Sequence, residues 1–351
     1  MRSRQENKRV PMRIKRMISI ICIFLVLITG CGNSVTTSTI GEDDGVLRIV
    51  TTIFPIYDWT STIMGEHGVE AEITMLINNG VDLHSFEPTT DDMIAIAECD
   101  LFIHVGGTSD SWADDALKNT TNKNRKVINL VEILGDSVKM EEVVEGMEES
   151  DHDHDHDHGF WSTIVGVFHS HDHEHEDEHV WLSLRNAEVV CNTITEALIE
   201  LDESGTSVYT DNGNTYVEKL RTLDEAYEKV VEEAECTTLL FGDRFPFRYL
   251  VDDYNLDYYA AFSGCSAETE ASFETIAFLA EKVDELELSS VMTIDGSDQK
   301  IAQTVMANTI SKELAVYTLD SMQSITAKEV EEGATYLSIM ESNLEVLKAV
   351  L

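Results

Sequence analysis

Basic side chains are scarce in this sequence. Its 351 residues include 24 Lys and Arg against 66 Asp and Glu, which gives a formal net charge of −42 at pH 7. A surface of this sign repels phosphate groups, so nucleic acid is excluded as a partner. The acidic field would concentrate cations near the protein, although the same acidity also serves solubility.

Proline and paired cysteines are also lacking. Only four prolines occur, and no Ser/Gly-rich stretch interrupts the body of the chain. This composition argues against a flexible linker between domains and favours a rigid one. None of the six cysteines forms a CxxC pair, which argues against a thioredoxin-like motif or a thiolate metal site. The sequence leaves open which disulfides, if any, form among Cys99, Cys191, Cys236 and Cys265.

The apolar run near the start, MISIICIFLVLITG, is too short for a permanent membrane helix. It follows a basic stretch and ends in small residues, which predicts a secretory signal over residues 1–30. The residues LITGC at 27–31 resemble a bacterial lipobox, which implies cleavage before Cys31 and lipidation of its thiol. The alternatives are an ordinary signal with an incidental cysteine and an uncleaved anchor.

Lipidation at Cys31 would leave an extracytoplasmic protein that is lipid-anchored to the bacterial cell membrane, with residues 31–46 as a flexible linker. Residues 1–30 carry seven basic side chains and one acidic side chain, so their removal changes the net charge from −42 to −48.

Short apolar strands alternate with amphipathic helices through the rest of the chain. The strand-like segments are LRIVTTI, AEITMLI, LFIHV and RKVINL in the first half, and TTLLF, YYAAF, SVMTI and AVYTL in the second. This alternation predicts an α/β fold with two Rossmann-like lobes, each with a parallel sheet, over residues 47–210 and 236–351. Apolar residues at helical spacing predict that one long, rigid helix, residues 211–235, joins the lobes.

Histidine and acidic residues alternate in an insertion within the first lobe, at about 140–177. Its tracts read DHDHDHDH and HSHDHEHEDEH, with no apolar face to bury, so a disordered loop is expected. Imidazole and carboxylate suit zinc and similar ions, but a flexible loop must lose conformational entropy to close on one. We therefore expect weak binding of several ions by His152, His154, His156, His158, His169, His171, His173 and His175.

Sparser candidate ligands follow the predicted strands. Ligands of open parallel sheets bind beyond the carboxyl ends of the strands, where His84, Asp243, Asp295 and Asp298 fall. His179 lies just ahead of a predicted helix. Two imidazoles and several carboxylates at equivalent ends of two lobes make a plausible cage for a divalent metal ion. Each side chain also has a structural alternative, since Asp243 and Asp298 precede predicted helices and could cap them.

Three segments make a specific resemblance: IFPIYDW, INNGVDLHSFEPTTDDMIAIAECDLFIHVGG and EHVWLSLRNAE. They resemble the zinc/manganese substrate-binding lipoproteins of bacterial metal ABC importers, and the resemblance covers nearly the whole mature chain. It implies two α/β lobes joined by a rigid helix, with one divalent ion held in the cleft between them. It also implies a monomer that delivers the ion to a membrane permease.

The resemblance also implies a set of ligands. His84 and His179 match the family's two histidines, whereas the third position, a histidine or glutamate in the family, is occupied here by Gly242. Because glycine has no coordinating side chain, the alternatives are Asp243, Glu268, Glu270 or water. The fourth ligand is acidic in the family, and Asp298 is preferred here over Asp295.

The function predicted from these residues is capture of a divalent transition metal, Zn²⁺ before Mn²⁺. Imidazole and the His-rich loop favour zinc, whereas a carboxylate-rich site favours manganese. A zinc hydrolase is the alternative from the enzymes, but the sequence has no HExxH or nucleophile motif, and no catalysis is expected. A surface adhesin, a function attributed to members of the same family, is the other alternative.

Overall fold

The computed structural model describes most of the chain after residue 44. Within the described part, no helix is both long and apolar enough to cross a membrane. The predicted signal, Cys31 and the eight histidines of the insertion lie outside the described residues. The structure describes residues 45–65, 70–118, 121–148, 176–266, 270–311 and 313–351.

The first lobe is built on a parallel four-stranded sheet in the order β2-β1-β3-β4. The central strands β1 and β3 are almost wholly buried, because helices cover both faces of a parallel sheet. The strands are β1 Leu47–Thr51, β2 Ala71–Met75, β3 Leu101–His104 and β4 Lys126–Asn129. The helices are α1 Phe54–Met64, α2 Thr90–Glu98, α3 Trp112–Lys118, α4 Leu130–Leu134 and α5 Leu184–Leu201.

The second lobe repeats this arrangement with a parallel sheet in the order β6-β5-β7-β8. Its strands are β5 Thr238–Phe245, β6 Asp257–Ser263, β7 Ser290–Ile294 and β8 Ala315–Leu319. Its helices are α7 Arg248–Tyr254, α8 Phe273–Glu285, α9 Lys300–Asn308, α10 Ala327–Glu331 and α11 Tyr336–Val350. The predicted class, two α/β lobes with parallel sheets, is confirmed.

A 27-residue helix, α6 Thr206–Glu232, runs between the two sheets in the chain. It begins before the predicted residue 211 because α5 ends at Leu201 and one short turn at Glu203–Gly205 suffices to reverse the chain. Asp202 fixes this turn by accepting a hydrogen bond from the Ser204 amide. The helix ends at Glu232, before the predicted residue 235.

The larger of two apolar cores among the described residues includes side chains from both lobes, and the smaller core lies within the second lobe. The C-terminal helix α11 returns to the first lobe, where the rings of Trp59 and Tyr336 meet edge to face at 5.0 Å. The Tyr336 hydroxyl donates to the Trp181 carbonyl at 2.7 Å, and the Trp181 indole donates to the Ser321 carbonyl at 2.8 Å. A shared core of this kind favours a rigid pair of lobes with a fixed cleft.

Candidate metal centre

His84 lies in a short 3-10 turn, Leu83–Ser85, that follows the edge strand β2. Asp82 caps this turn by accepting a hydrogen bond from the His84 amide at 2.9 Å. The His84 Nδ1 atom is 2.7 Å from the Ser109 hydroxyl, which leaves Nε2 facing the cleft. The turn and Ser109 together hold the ring in one orientation.

His179 is fully buried immediately before the 3-10 turn Val180–Leu182, which leads into α5. Asp177 accepts hydrogen bonds from both the amide and the Nδ1 atom of His179, each at 2.9 Å. This carboxylate therefore places the proton of neutral His179 on Nδ1 and leaves Nε2 with a free lone pair. A carboxylate behind an imidazole in this way is typical of histidines that bind metal ions.

The two Nε2 atoms face each other at 3.1 Å. Tetrahedral zinc with Zn–N bonds of about 2.0–2.1 Å would separate two such nitrogens by about 3.3–3.4 Å, so the pair is nearly at ligand spacing. In the metal-free protein the contact requires a hydrogen on one of the two nitrogens, because two lone pairs would repel each other. A proton and a metal ion therefore compete for the same position.

The two imidazoles differ in proton affinity. Burial, reinforced by the nearby His179, lowers the pKa of His84 to about 4. Burial also disfavours charge on His179, but the Asp177 carboxylate and its hydrogen bond outweigh that effect and raise the pKa of His179. His84 is thus neutral and ready to coordinate at physiological pH, and the first proton taken up by the pair resides on His179.

Cys265 is the third member of this group, and it was not predicted from the sequence. One ligand atom from each of His84, His179 and Cys265 lies within 4.8 Å of the other two. Cys265 follows β6, so the group collects residues from beyond the carboxyl ends of the edge strands of both sheets. The absence of a CxxC pair predicted no thiolate site, but a single thiol beside two imidazoles needs no such motif. None of the four described cysteines forms a disulfide.

Gly242 is sterically closed to any side chain. A Cβ atom on Gly242 would lie 2.5 Å from the Cα atom and 2.7 Å from the amide nitrogen of Ala302 in α9. Contacts this short with backbone atoms cannot be relieved by a side-chain rotation. Glycine at position 242, which the sequence resemblance matched to the family's third ligand, is therefore required by the close packing of β5 against α9.

Asp243 and Asp298, the predicted third and fourth ligands, do not join this group. The Asp243 carboxylate instead accepts hydrogen bonds from the backbone amides of Arg244, at 2.9 Å, and Ile294, at 3.5 Å. Asp298 has 61% of its side chain exposed, pairs with Lys300 and accepts a hydrogen bond from the Lys300 amide at 3.0 Å. Asp298, which precedes the N-cap residue Gln299, therefore holds the first amide of α9.

The other acidic candidates that the structure describes, Asp295 and Glu270, are also outside the group. Asp295 accepts hydrogen bonds from the Ser321 amide at 2.7 Å and from the Ser324 hydroxyl at 2.8 Å, so its oxygens are already engaged. Glu270 is exposed, and Glu268 lies outside the described residues. Asp295 thus serves the second lobe structurally, and the position of a carboxylate after a strand does not distinguish this role from metal binding.

A cavity of about 590 Å³ opens beside the group, between the lobes. Ser85 and Ser266, the chain neighbours of His84 and Cys265, line it together with Asp243, Asp295 and Asp298. Asp82 and Arg244 form an ion pair across the cleft at 3.0 Å. The acidic lining favours the approach of a cation, and the small, partly buried donor group at its edge suits one ion.

The fold and the chain resemble known proteins closely enough to show the family. Residues 49–350 match the family model for ZnuA, described as "zinc-uptake complex component A periplasmic". The zinc-binding lipoprotein AdcA of Streptococcus pneumoniae is 29% identical over 96% of this chain, which spans only 60% of AdcA. The high-affinity zinc uptake system protein ZnuA of Bacillus subtilis is 28% identical, over 94% of this chain and 95% of its own length.

Solved structures agree with this assignment. The crystal structure of the Zn(II)-bound ZnuA-like domain of Streptococcus pneumoniae AdcA superposes with a TM-score of 0.64 at 25% identity. The superposition covers 87% of this chain and 99% of that domain. The match therefore includes both lobes and the long helix between the sheets.

Proposed function

Because the chain belongs to the family of periplasmic A components of zinc-uptake complexes, we propose that it is an extracytoplasmic receptor for Zn²⁺ that supplies an ABC permease. The observation that carries the proposal is the pair of Nε2 atoms, 3.1 Å apart, on His84 and His179. Both rings are held from behind, by Ser109 and Asp177, so the site is organised before the ion arrives. The role is that of a receptor rather than an enzyme.

Zinc is favoured over manganese by the donors that the structure brings together. Imidazole nitrogen suits zinc, whereas Mn²⁺ prefers carboxylate and other oxygen donors. The oxygen donors predicted from the sequence, Asp243 and Asp298, are occupied by backbone or Lys300 contacts. Manganese capture is the alternative outcome of the titration described below.

The His-rich insertion is proposed to be an auxiliary binding segment, separate from the cleft. Contacts with Met140 and Lys139 fix the chain ahead of His179: Met140 forms a β-bridge with Glu176, and the Asp177 amide donates to the Lys139 carbonyl at 2.8 Å. On the other side of the segment, the Glu148 amide donates to the Ala261 carbonyl at 3.0 Å. Because both ends are anchored, residues 149–175 can be replaced by a flexible linker long enough to span them without pulling His179 out of place.

Equilibrium titration with Zn²⁺ and Mn²⁺ tests the proposal. We expect one tight zinc site in the full chain and in a variant in which a flexible linker replaces residues 149–175, with weak additional binding only in the full chain. His84→Ala should lower the zinc affinity by at least about 100-fold in both, because loss of a residue that merely supports a ligand already costs about 10–100-fold. Manganese should bind more weakly than zinc.

The matched control is Asp298→Ala, which removes an exposed carboxylate of the same cleft region and should leave zinc affinity unchanged. Metal-free samples of each variant are compared by thermal unfolding to separate loss of ligand from loss of fold. If the shortened variant has no tight site, the cleft assignment is wrong. Tighter binding of manganese than of zinc would make the protein a manganese receptor.

A further inference from the structure

The approach of β6 to His179 leaves Cys265 little freedom of position. A Cβ atom on Gly264 would lie 2.9 Å from the His179 Cε1 atom and 2.9 Å from the Phe245 carbonyl oxygen, so the backbone packs directly against the imidazole. The next residue is Cys265, whose amide donates to the Glu141 carboxylate at 3.2 Å. These contacts from two sides hold the sulfur beside the histidine pair.

Gly242 and Asp243 in β5, where the third ligand was expected, are not available to the ion. Gly242 cannot accept a side chain because of Ala302, and the neighbouring Asp243 is engaged by backbone amides. Among the described residues of the second lobe, the donor that lies within 4.8 Å of both imidazoles is therefore Cys265, which follows β6 rather than β5. The second lobe thus lacks a donor at position 242 and has one at Cys265, which points to a third ligand that has moved from β5 to the end of β6.

We propose that Cys265 is the third protein ligand of the metal ion and that its thiolate makes the site selective for zinc over manganese. This inference rests on the proposed function, since it concerns the ion held by His84 and His179. Two imidazole nitrogens and one thiolate form a donor set that zinc accepts readily and manganese does not, because thiolate is a soft ligand. A water molecule would fill the remaining tetrahedral position.

The charge of the surroundings fits a bound cation. As the Zn–S bond forms, the thiol proton leaves to solvent, and the ion replaces it with a larger positive charge. Glu178 is buried, and its Oε2 atom lies 3.8 Å from the His84 Nδ1 atom. This oxygen accepts no hydrogen bond from the described residues. Asp177 adds a second buried carboxylate behind His179. A cation in the group would offset both negative charges.

X-ray absorption at the zinc edge tests the ligand directly. The full chain is loaded with less than one equivalent of Zn²⁺, so that the tight site fills before the His-rich insertion. We expect one sulfur scatterer at about 2.3 Å and nitrogen or oxygen scatterers at about 2.0–2.1 Å. In Cys265→Ser the sulfur scatterer should vanish, and zinc affinity should fall by at least about 100-fold, by the same comparison with supporting residues.

Cys236→Ser is the matched control, because Cys236 is also a half-buried free thiol and lies outside the metal group. This variant should keep the sulfur signal and the wild-type affinity. If the wild-type protein binds zinc tightly, with dependence on His84 but without a sulfur scatterer, Cys265 is not a ligand and only this inference fails. Loss of the dependence on His84 would instead overturn the proposed function.

The selectivity has its own test in Cys265→Asp. Exchange of a soft sulfur for a hard carboxylate oxygen should lower the ratio of zinc to manganese affinity by at least about tenfold relative to the wild type. The affinities of both ions are measured by competition with a chelator. An unchanged ratio would show that the imidazoles alone set the preference and would overturn the assignment of selectivity to Cys265.

Discussion

Buried carboxylates link the stability of this protein to pH at the scale of single residues. Asp320 follows β8, where its Oδ1 atom accepts a hydrogen bond from the Met322 amide at 2.8 Å. Burial, together with the nearby Asp295, raises the pKa of Asp320 from 3.8 to about 7. Between these values the folded protein holds a proton that the unfolded chain has lost, so this residue destabilises the fold progressively as the pH rises.

Asp320→Asn should therefore stabilise the metal-free protein at about pH 8, by on the order of 2 kcal/mol, because the substitution removes the need to bury a charge. The amide oxygen of asparagine can still accept from Met322. Near the unfolded-state value of 3.8 the two proteins should be almost equally stable. Urea unfolding at both pH values measures the difference. A variant that is less stable at the higher pH would show that the charged form of Asp320 is favourable.

At the scale of secondary-structure elements, three helices meet at the buried side chain of Asp58. Asp58 in α1 accepts hydrogen bonds from the Tyr216 hydroxyl in α6, at 3.2 Å, and from the Tyr336 amide at the start of α11, at 3.1 Å. Burial raises the pKa of Asp58, although both hydrogen bonds oppose the shift. This carboxyl group therefore ties the C-terminal helix to the long helix and to the first lobe.

Asp58→Ala should lower the free energy of unfolding by about 2–4 kcal/mol, because it leaves two buried donors without an acceptor. Asp58→Asn is the matched variant and should cost less than half as much, since its amide oxygen can accept from either donor. Both are measured by denaturant unfolding in the presence of a chelator. Equal losses in the two variants would mean that the carboxyl group matters for its charge rather than as an acceptor.

The charge and the proposed anchor act at the scale of the whole molecule. The net charge, −42 for the full chain and −48 without residues 1–30, attracts cations to the surface, and the proposed site would then select one ion by its donors. Lipidation at Cys31 would keep this receptor close to the permease. A tethered receptor meets its permease at a high effective concentration, which matters most when external zinc is scarce.

Cys31→Ser should release the protein from the membrane fraction into the medium of a Gram-positive host, or into the periplasm of a Gram-negative one, because the acyl chains supply the membrane affinity. Cell fractionation and immunoblotting measure the distribution. Cys22→Ser changes a cysteine inside the predicted signal and should leave the protein in the membrane fraction. Retention of the Cys31→Ser protein there would favour an uncleaved N-terminal anchor.

Local patterns in the sequence were enough to predict the architecture. Segments such as LRIVTTI and SVMTI are short apolar runs between turns, and they correspond to β1 and β7. Strands and helices depend on burial and hydrogen bonding that repeat over a few residues, so their signals stay local. The family resemblance is likewise confirmed by the family model that matches residues 49–350. It could be recognised in the sequence because the motifs around His84 and His179 are short and continuous.

Only the tertiary structure brings the proposed ligands together. Cys265 lies far from His179 in the chain, and nothing in its neighbourhood marks it as a ligand until β6 packs against the imidazole. Asp298 looked equally suitable in the sequence, yet a lysine two residues away and the first turn of α9 engage it. The sequence by itself determined two parallel α/β lobes and a pair of candidate histidines. The packing of distant segments determined which further side chain stands beside them, because a metal site is defined by distances between atoms that the chain order does not contain.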